Sequence, residues 1–326
     1  MAKITVLGAG GWGMALATVA HSKNHSVNIW SPFENEVSAL SETRTNERLL
    51  KGVYLDKAIN VTSDLSCVED SDITIIAVPS IAVRQTAERL KVIKNTGVIV
   101  NVAKGFDSKL GSRLSQVISE CLPSAKTVVL SGPSHAEEVA VGLPTNVVAA
   151  ADDTATAKLV QELLSTDNFR IYINDDVIGV EIGGALKNVI AVCAGICAGL
   201  GLGDNTRAAL ITRGLAEMTR LGLSLGAKEH TFLGLSGIGD LIVTCLSEHS
   251  RNNRFGRLVG SGMPVDEALS TVGTVEGYYA AELAYKLAKE NNLELPIIEE
   301  CYGILFEKKS AAAAVGNLTS RPPKTE

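Results

Sequence analysis

The stretch KITVLGAGGWGM, residues 3–14, determines the predicted fold of the N-terminal half. A β-branched run ends at Leu7, and Gly8, Gly10 and Gly13 follow as G-x-G-x-x-G before a helical window. In a strand–turn–helix unit the first glycine permits the tight turn, the second lets a pyrophosphate approach the backbone, and the third lets helix and strand pack closely. The order of strand, glycines and helix predicts a dinucleotide site, and the alternative is a glycine-rich turn without a ligand.

Further along the chain, short β-branched runs alternate with helical patterns up to about residue 175. This alternation predicts a parallel sheet that is covered on both faces. After Val177 the windows are rich in Ala, Leu, Gly and Glu at helical spacing, which predicts an all-helical half. The predicted fold class is therefore α/β, with an N-terminal Rossmann-type doubly wound sheet followed by an all-helical C-terminal domain. We expect a dinucleotide-binding domain over residues 1–180 and a helical substrate-binding and catalytic domain over residues 181–326. The predicted strands are Ile4–Leu7, Val27–Trp30, Ile73–Val78, Val98–Val102, Thr127–Leu130, Asn146–Ala149 and Phe169–Tyr172.

Composition and charge exclude several classes of protein. The chain of 326 residues has a formal charge of −6 and only 4% aromatic residues, which argues against a nucleic-acid partner. The six cysteines form no C-x-x-C pair and have no histidines at zinc-ligand spacing, so no metal site is predicted. The N-terminus has no signal-peptide pattern, and the most apolar stretch, Val189–Leu202, is shorter than the roughly 20 residues of a membrane span. We expect a cytoplasmic protein with no membrane span.

The end of the second predicted strand bears on the choice of cofactor. An acidic residue there would bind the ribose 2′-hydroxyl of NAD and repel the 2′-phosphate of NADP. The strand leads instead into Ser31, Pro32 and Phe33, and Glu34 follows late, with no arginine nearby. The sequence therefore predicts that NADP or NAD is accepted, with NADPH weakly preferred.

A lysine on an apolar helical pattern is the first candidate for chemistry. Lys187 lies in EIGGALKNVIA, where its helical neighbours include Gly183 and Gly184. Such an ammonium either extends to water or serves a ligand that comes close to the glycines, and the sequence leaves both open. Asp240 in GLSGIGDLIVTC is a candidate partner, with a helix N-cap as its alternative.

Two segments follow strands at the predicted carboxyl edge of the sheet, where open α/β sheets bind ligands. Lys104 follows one strand, and Gly132 in SGPSHAEEV follows the next. In the same segment Ser134 and Glu137 have the spacing of a capping box for the next helix. His135 is a second candidate acid or base after Lys187.

Ser250, Arg251 and Asn252 in HSRNNRFGR form a cluster suited to an anion. A serine at a helix start leaves N–H donors free, and an arginine adds a bidentate donor for phosphate. The alternative is a solvated basic helix, to which Arg254 and Arg257 are assigned. In an acidic protein this cluster favours a small phosphorylated substrate.

Several longer motifs give the chain a close resemblance to bacterial NAD(P)-dependent sn-glycerol-3-phosphate dehydrogenases. The resemblance runs nearly end to end, and the motifs of the helical half are more specific than the glycine motif. The motifs on which the resemblance rests are GAGGWGMALA, AVPS, the AKG around Lys104, GPSHAEEV, EIGGALKNVIA, GDNTRAALITRGLAEM, GLSGIGDLIVTC, HSRNN and VEG at 275–277. Where this chain has Gly11, the family usually has serine.

The resemblance implies reversible reduction of dihydroxyacetone phosphate to sn-glycerol 3-phosphate for phospholipid synthesis by a cytoplasmic homodimer. It makes Lys187 the catalytic acid/base, with Lys104 and Asp240 beside the reacting oxygen. The implied substrate-binding residues are Lys104, Gly132, Ser134, Lys187, Asp240, Ser250, Arg251 and Asn252. The implied cofactor-binding residues are the motif glycines Gly8, Gly10 and Gly13 together with Gly11, Trp12, Phe33, Lys104, Ala136, Arg251, Val275 and Glu276.

Two other functions remain open on the residues alone. A β-hydroxyacid dehydrogenase of similar layout also places a lysine on a helix after the nucleotide domain, although its anion site would hold a carboxylate. A non-catalytic dinucleotide-sensing protein would bind the cofactor without oxidising it.

Overall fold

The computed structural model describes residues 1–93, 96–107 and 111–323. The chain divides into two compact units, Met1–Glu181 and Ile182–Glu326. The division falls inside a long helix, and the two units differ in architecture.

The described residues of the first unit form a mixed sheet of eight strands, in the order β3-β2-β1-β4-β5-β6-β7-β8. All neighbouring strands are parallel except β6 and β7, which pair antiparallel. The strands are β1 (Lys3–Leu7), β2 (Ser26–Trp30), β3 (Asn60–Thr62), β4 (Ile73–Ile76), β5 (Val98–Asn101), β6 (Thr127–Ser131), β7 (Thr145–Ala150) and β8 (Phe169–Asn174).

The Rossmann-type sheet is confirmed, but two features of it differ from the sequence prediction. The prediction of an all-parallel sheet is wrong for β7 and β8, which run opposite to the other strands. The α-helix between β6 and β7 has five residues and does not carry the chain across the sheet. The short edge strand β3 was not predicted. Its three residues carry no measurable alternation.

Helices cover both faces of this sheet. Successive strand residues such as Val6 and Leu7, or Ile75 and Ile76, belong to separate apolar clusters on opposite faces, and all four are fully buried. This is the burial that the continuous apolar runs predicted. The helices are α1 (Gly11–Ser22), α2 (Glu34–Thr43), α3 (Val83–Leu90), α4 (Leu114–Cys121), α5 (Ala136–Ala140) and α6 (Thr154–Leu164).

The second unit is helical, as predicted. The long helix α7 (Val177–Gly199) opens it and is apolar enough to cross a membrane, but nearly all of its apolar window is buried inside the protein, as in a core helix. A π-helical segment, Leu235–Gly239, leads directly into α10. The other helices are α8 (Asp204–Ser224), α9 (Glu229–Phe232), α10 (Asp240–Leu246), α11 (Arg251–Gly260), α12 (Val265–Val272), α13 (Glu276–Glu290), α14 (Pro296–Phe306) and α15 (Ala311–Thr319).

Candidate active site

The glycine loop between β1 and α1 has the backbone that the motif predicts. Gly8 adopts a φ of +123°, a conformation that L side chains rarely adopt. A Cβ on Gly13 would lie 2.0 Å from the Gly8 carbonyl oxygen, so only glycine lets helix and strand approach this closely.

Gly10 is the N-cap of α1, and its surroundings fit a dinucleotide. A Cβ on Gly10 would meet no atom within 4 Å, and no side chain caps this helix end in the described part of the chain. Open space therefore lies over a helix N-terminus whose first N–H groups are available to an anion. These residues fit the pyrophosphate of NAD or NADP.

Gly11 and Trp12 continue the loop into the helix. A Cβ on Gly11 would lie 2.6 Å from the Leu49 carbonyl oxygen and 3.8 Å from the Ala136 Cβ. The serine that is usual in the family would require the backbone at Leu49 to move. Trp12 packs on the core of the unit, with its ring 6.4 Å from that of Phe169.

The structure places an acid at the end of β2, which sequence reasoning missed. The Ser31 hydroxyl donates a hydrogen bond to a carboxylate oxygen of Glu36. Glu36 lies five residues after Ser31, but the first turn of α2 brings its side chain back to the strand end. The premise that no acid stands near this position is therefore wrong. Phe33, the N-cap of α2, is 63% exposed.

Lys104, Gly132 and Ser134 meet at the carboxyl edge of the sheet, as predicted. The Lys104 ammonium donates to the Gly132 carbonyl oxygen at 2.8 Å, and the Ser134 hydroxyl donates to the same oxygen at 2.9 Å. The predicted capping box of Ser134 and Glu137 is wrong, because α5 has His135 as its N-cap and the Ser134 hydroxyl turns back to Gly132. Lys104 and Ser134 are partly exposed at this edge.

Lys187, Asp240 and Thr244 form a buried polar cluster in the helical unit. The Lys187 ammonium donates to the Asp240 carboxylate at 2.6 Å and to the Thr244 hydroxyl at 2.7 Å. The side chains of Lys187 and Asp240 are 8% and 1% exposed, so Lys187 does not extend to water. Asp240 is the first residue of α10 and not its N-cap.

Thr244 was missed by sequence reasoning. It lies one helical turn after Asp240 on α10, and its hydroxyl donates to the Asp240 carbonyl oxygen at 2.6 Å. This leaves the lone pairs of the hydroxyl oxygen toward the Lys187 ammonium. The four-residue spacing from Asp240 was the available signal.

Close backbone packing brings α7 to this cluster. A Cβ on Gly183 would lie 2.6 Å from the Ser236 carbonyl oxygen in the π-helical segment, and a Cβ on Gly237 would lie 2.1 Å from the Phe232 carbonyl oxygen. The missing side chain of Gly183 therefore makes room for protein backbone. It does not make room for a ligand, which its position beside Lys187 had suggested.

The residues at the start of α11 have two different roles. Ser250 caps the helix by accepting a hydrogen bond from the Asn253 N–H at 3.2 Å, and Arg251 follows as the exposed first residue. Arg257, predicted to be solvated, is exposed, and its Nε donates to the Asn253 side-chain oxygen at 2.8 Å.

Asn252 is buried and connects three helices. Its amide nitrogen donates to the Asn188 side-chain oxygen on α7 at 2.9 Å, and its amide oxygen accepts from the Gly277 N–H on α13 at 2.8 Å. Val275 and Glu276 form the start of α13. Val275 is buried, with 1% of the residue exposed.

A Rossmann-type unit with an open glycine loop, followed by a helical unit with a buried lysine–carboxylate pair, defines a nicotinamide-dinucleotide-dependent dehydrogenase. Comparison with known proteins specifies the family. Residues 3–157 match the model of the NAD-dependent glycerol-3-phosphate dehydrogenase N-terminus, and residues 176–316 match that of the C-terminus.

Relatives and solved structures agree over the whole chain. The chain is 48% identical to a glycerol-3-phosphate dehydrogenase [NAD(P)+] of Thermoanaerobacter sp., covering 99% of this chain and 98% of that one. It is 46% identical to the enzyme of the same name from Desulfitobacterium hafniense, covering 100% and 93%. The crystal structure of glycerol-3-phosphate dehydrogenase from Coxiella burnetii superposes with a TM-score of 0.94 at 38% identity, covering 98% and 99%. The chain therefore belongs to the NAD-dependent glycerol-3-phosphate dehydrogenase family, which confirms the predicted family and enzyme class.

Proposed function

We propose that the protein catalyses the reversible reduction of dihydroxyacetone phosphate to sn-glycerol 3-phosphate with NADH or NADPH. The observation that carries this proposal is the buried Lys187–Asp240–Thr244 cluster, in a chain whose family membership covers both units. The bound dinucleotide supplies the hydride that reaches the carbonyl carbon. The chain's own residues supply the proton and hold the substrate.

Lys187 is proposed as the acid that protonates the carbonyl oxygen. Reduction places negative charge on that oxygen, so an ammonium beside it stabilises the transition state more than the ketone. Asp240 compensates the buried positive charge and fixes the ammonium, and Thr244 occupies a second of its three N–H donors. In the oxidative direction the neutral amine accepts the proton from the alcohol.

The phosphorylated substrate is assigned to two sets of residues. In the first unit these are Lys104, Gly132 and Ser134, where an ammonium and a hydroxyl lie together at the sheet edge. In the second unit they are Ser250 and Arg251 at the N-terminus of α11, where free N–H groups and a guanidinium suit a phosphate. Asn252 belongs to this set chiefly as a positioning residue, because its amide is bound to α7 and α13.

The cofactor is assigned to the glycine loop and to the residues that the family motifs mark. The first unit then serves as the dinucleotide-binding domain and the second as the substrate-binding and catalytic domain. The proposed cofactor contacts are Gly8, Gly10, Gly11, Trp12, Gly13, Phe33, Lys104 and Ala136 in the first unit, and Arg251, Val275 and Glu276 in the second.

The cellular setting follows from the same assignment. We propose a cytoplasmic homodimer that supplies sn-glycerol 3-phosphate to phospholipid synthesis and has no nucleic-acid partner. The negative formal charge of −6 supports the last point.

One assay tests the reaction against its alternatives. Loss of NADH or NADPH absorbance is followed with dihydroxyacetone phosphate, with β-hydroxyacid substrates in the oxidative direction and with small semialdehydes. Turnover with dihydroxyacetone phosphate alone is the expected result. Turnover with a hydroxyacid or semialdehyde instead would identify a β-hydroxyacid dehydrogenase, and cofactor binding without turnover would identify a sensing protein.

A further inference from the structure

The carboxylate of Glu36 lies at the end of β2, beside the glycine loop. The Gly8 N–H donates to the Trp30 carbonyl oxygen at 2.8 Å, so Ser31 is the next residue along this edge of the sheet. Ser31 is 1% exposed, and its hydroxyl donates to Glu36. The same hydroxyl oxygen lies 3.4 Å from the Phe33 N–H, which donates to it. These bonds hold the carboxylate at the strand end.

The charged side chains of the helix that carries this carboxylate are all acidic. Helix α2 contains Glu34, Glu36 and Glu42 and no basic residue. The guanidinium of Arg44, at the end of this helix, donates to backbone carbonyl oxygens, including that of Ile59 at 2.7 Å and that of Asp56. The Arg44 guanidinium therefore binds the loop before β3. Arg48, the other arginine between β2 and β3, is exposed.

We infer that Glu36 is the residue that selects between the two cofactors, and that it favours NADH over NADPH. In this fold an acid at the end of the second strand accepts a hydrogen bond from the 2′-hydroxyl of the adenosine ribose and repels a 2′-phosphate. This inference rests on the proposed function, because it requires a nicotinamide dinucleotide on the glycine loop. The inferred preference for NADH is the reverse of the NADPH preference predicted from the sequence. That prediction considered Glu34, which lies too late in the chain after β2.

A simpler role for Glu36 would be to place negative charge at the N-terminus of α2. Glu34 shares that role, since it lies in the same first turn and is exposed. A Glu34→Gln variant is therefore a matched control. It removes the same charge from the same helix end without touching the Ser31 hydrogen bond.

The test measures dissociation constants for NADH and NADPH by nicotinamide fluorescence without substrate, in the wild type, Glu36→Gln and Glu34→Gln. The Glu36→Gln substitution keeps an oxygen for the Ser31 hydroxyl and removes the charge. We expect the wild type to bind NADH at least about tenfold more tightly than NADPH, and Glu36→Gln to remove most of that difference by tightening NADPH. Glu34→Gln should leave the ratio within about twofold of the wild type.

A Ser31→Ala variant tests the orientation of the carboxylate. It keeps the charge and removes the hydroxyl that holds it, so it should reduce the ratio by a few-fold, whereas a purely structural serine would leave the ratio unchanged. Equal binding of both cofactors by the wild type, an unchanged ratio in Glu36→Gln, or an equal change in Glu34→Gln would overturn the inference alone. Failure of the wild type to bind either dinucleotide would overturn the proposed function as well.

Discussion

The ammonium of Lys187 lies 2.6 Å from the carboxylate of Asp240, and both groups are buried in the helical unit. Removing two charges from water is costly, and a buried pair of this kind contributes little net stability compared with apolar residues of the same shape. The geometry instead suits a proton donor, because the carboxylate compensates the buried charge of the ammonium and fixes its direction. This relationship determines how variants at either position should behave.

Replacing Lys187 with methionine should abolish general acid catalysis while keeping the length of the side chain. We expect kcat to fall roughly a hundred- to ten-thousand-fold. Asp240 would remain buried with its ammonium partner removed, so the free energy of unfolding should also fall, by roughly 3–5 kcal/mol. The measurements are steady-state kinetics with dihydroxyacetone phosphate and urea denaturation.

The double variant Lys187→Met/Asp240→Asn separates catalysis from stability. It removes both charges, so it should recover part of the lost stability without recovering kcat. Dinucleotide binding by fluorescence checks that both variants are folded. A kcat near that of the wild type in either variant would remove Lys187 from the reaction and favour His135.

Thr244→Val should slow the reaction without weakening substrate binding. The valine keeps the shape and removes the hydroxyl that accepts from Lys187 at 2.7 Å. Loss of one hydrogen bond to a charged group corresponds to roughly a tenfold fall in kcat, with KM little changed. Thr244→Ser should restore most of the activity, and a serine variant as slow as the valine variant would contradict the role assigned to the hydroxyl.

Arg251→Lys should raise the KM for dihydroxyacetone phosphate by about tenfold, because lysine keeps the charge but loses the planar pair of donors. Arg254→Lys is the matched control, since Arg254 is an exposed residue of the same helix one turn further on. Its KM should equal that of the wild type. An equal change in KM for the two substitutions would indicate that both arginines belong to a solvated basic helix and that neither binds the substrate.

Much of the fold was predictable because its main elements carry strong local patterns. The buried strands are continuous apolar runs, and the glycine loop has a fixed spacing. The direction of β7 was not predictable in this way, since strand direction depends on the connection that precedes it and α5 is too short to be recognised. The strand β3 was missed because three residues give no alternation.

The candidate site was predictable where an unusual residue stood in an apolar pattern. Lys187 was recognised in this way, and Asp240 was a candidate partner 53 residues further along the chain. Thr244 and Glu36 were missed because their roles depend on helical geometry. Each is brought back by a turn of helix to a group several residues earlier in the chain.

Two glycines of the loop should respond differently to the same substitution. A Cβ on Gly10 meets no atom within 4 Å, so Gly10→Ala should leave the thermal midpoint close to that of the wild type. The methyl group would occupy the space over the helix N-terminus and weaken dinucleotide binding by at least roughly tenfold. In Gly13→Ala the Cβ would lie 2.0 Å from the Gly8 carbonyl oxygen, so this variant should lose stability. Unimpaired NADH and NADPH binding in Gly10→Ala would place the cofactor elsewhere.

Glu217 on α8 gives the helical unit a pH-dependent stability. Its carboxylate accepts hydrogen bonds from the Ile297 and Ile298 N–H groups, at 2.8 and 3.1 Å, in the first turn of α14. Burial, which opposes the charged form, raises the pKa of Glu217 from 4.5 to about 7 and outweighs these two hydrogen bonds. The folded protein therefore holds a proton on Glu217 at pH values where the unfolded chain has lost it.

The sign of the effect follows from this difference in bound protons. The contribution of Glu217 to stability is fully present below pH 4.5, and it is lost as the pH rises through about 7. The total loss corresponds to about 3 kcal/mol in the free energy of unfolding. Glu217→Gln removes the titration, although it sacrifices one acceptor and lowers stability at acidic pH. Urea denaturation of both proteins at pH 5, 6, 7 and 8 (roughly spanning this window) should therefore give a steeper fall for the wild type, and parallel pH profiles would contradict this role for Glu217.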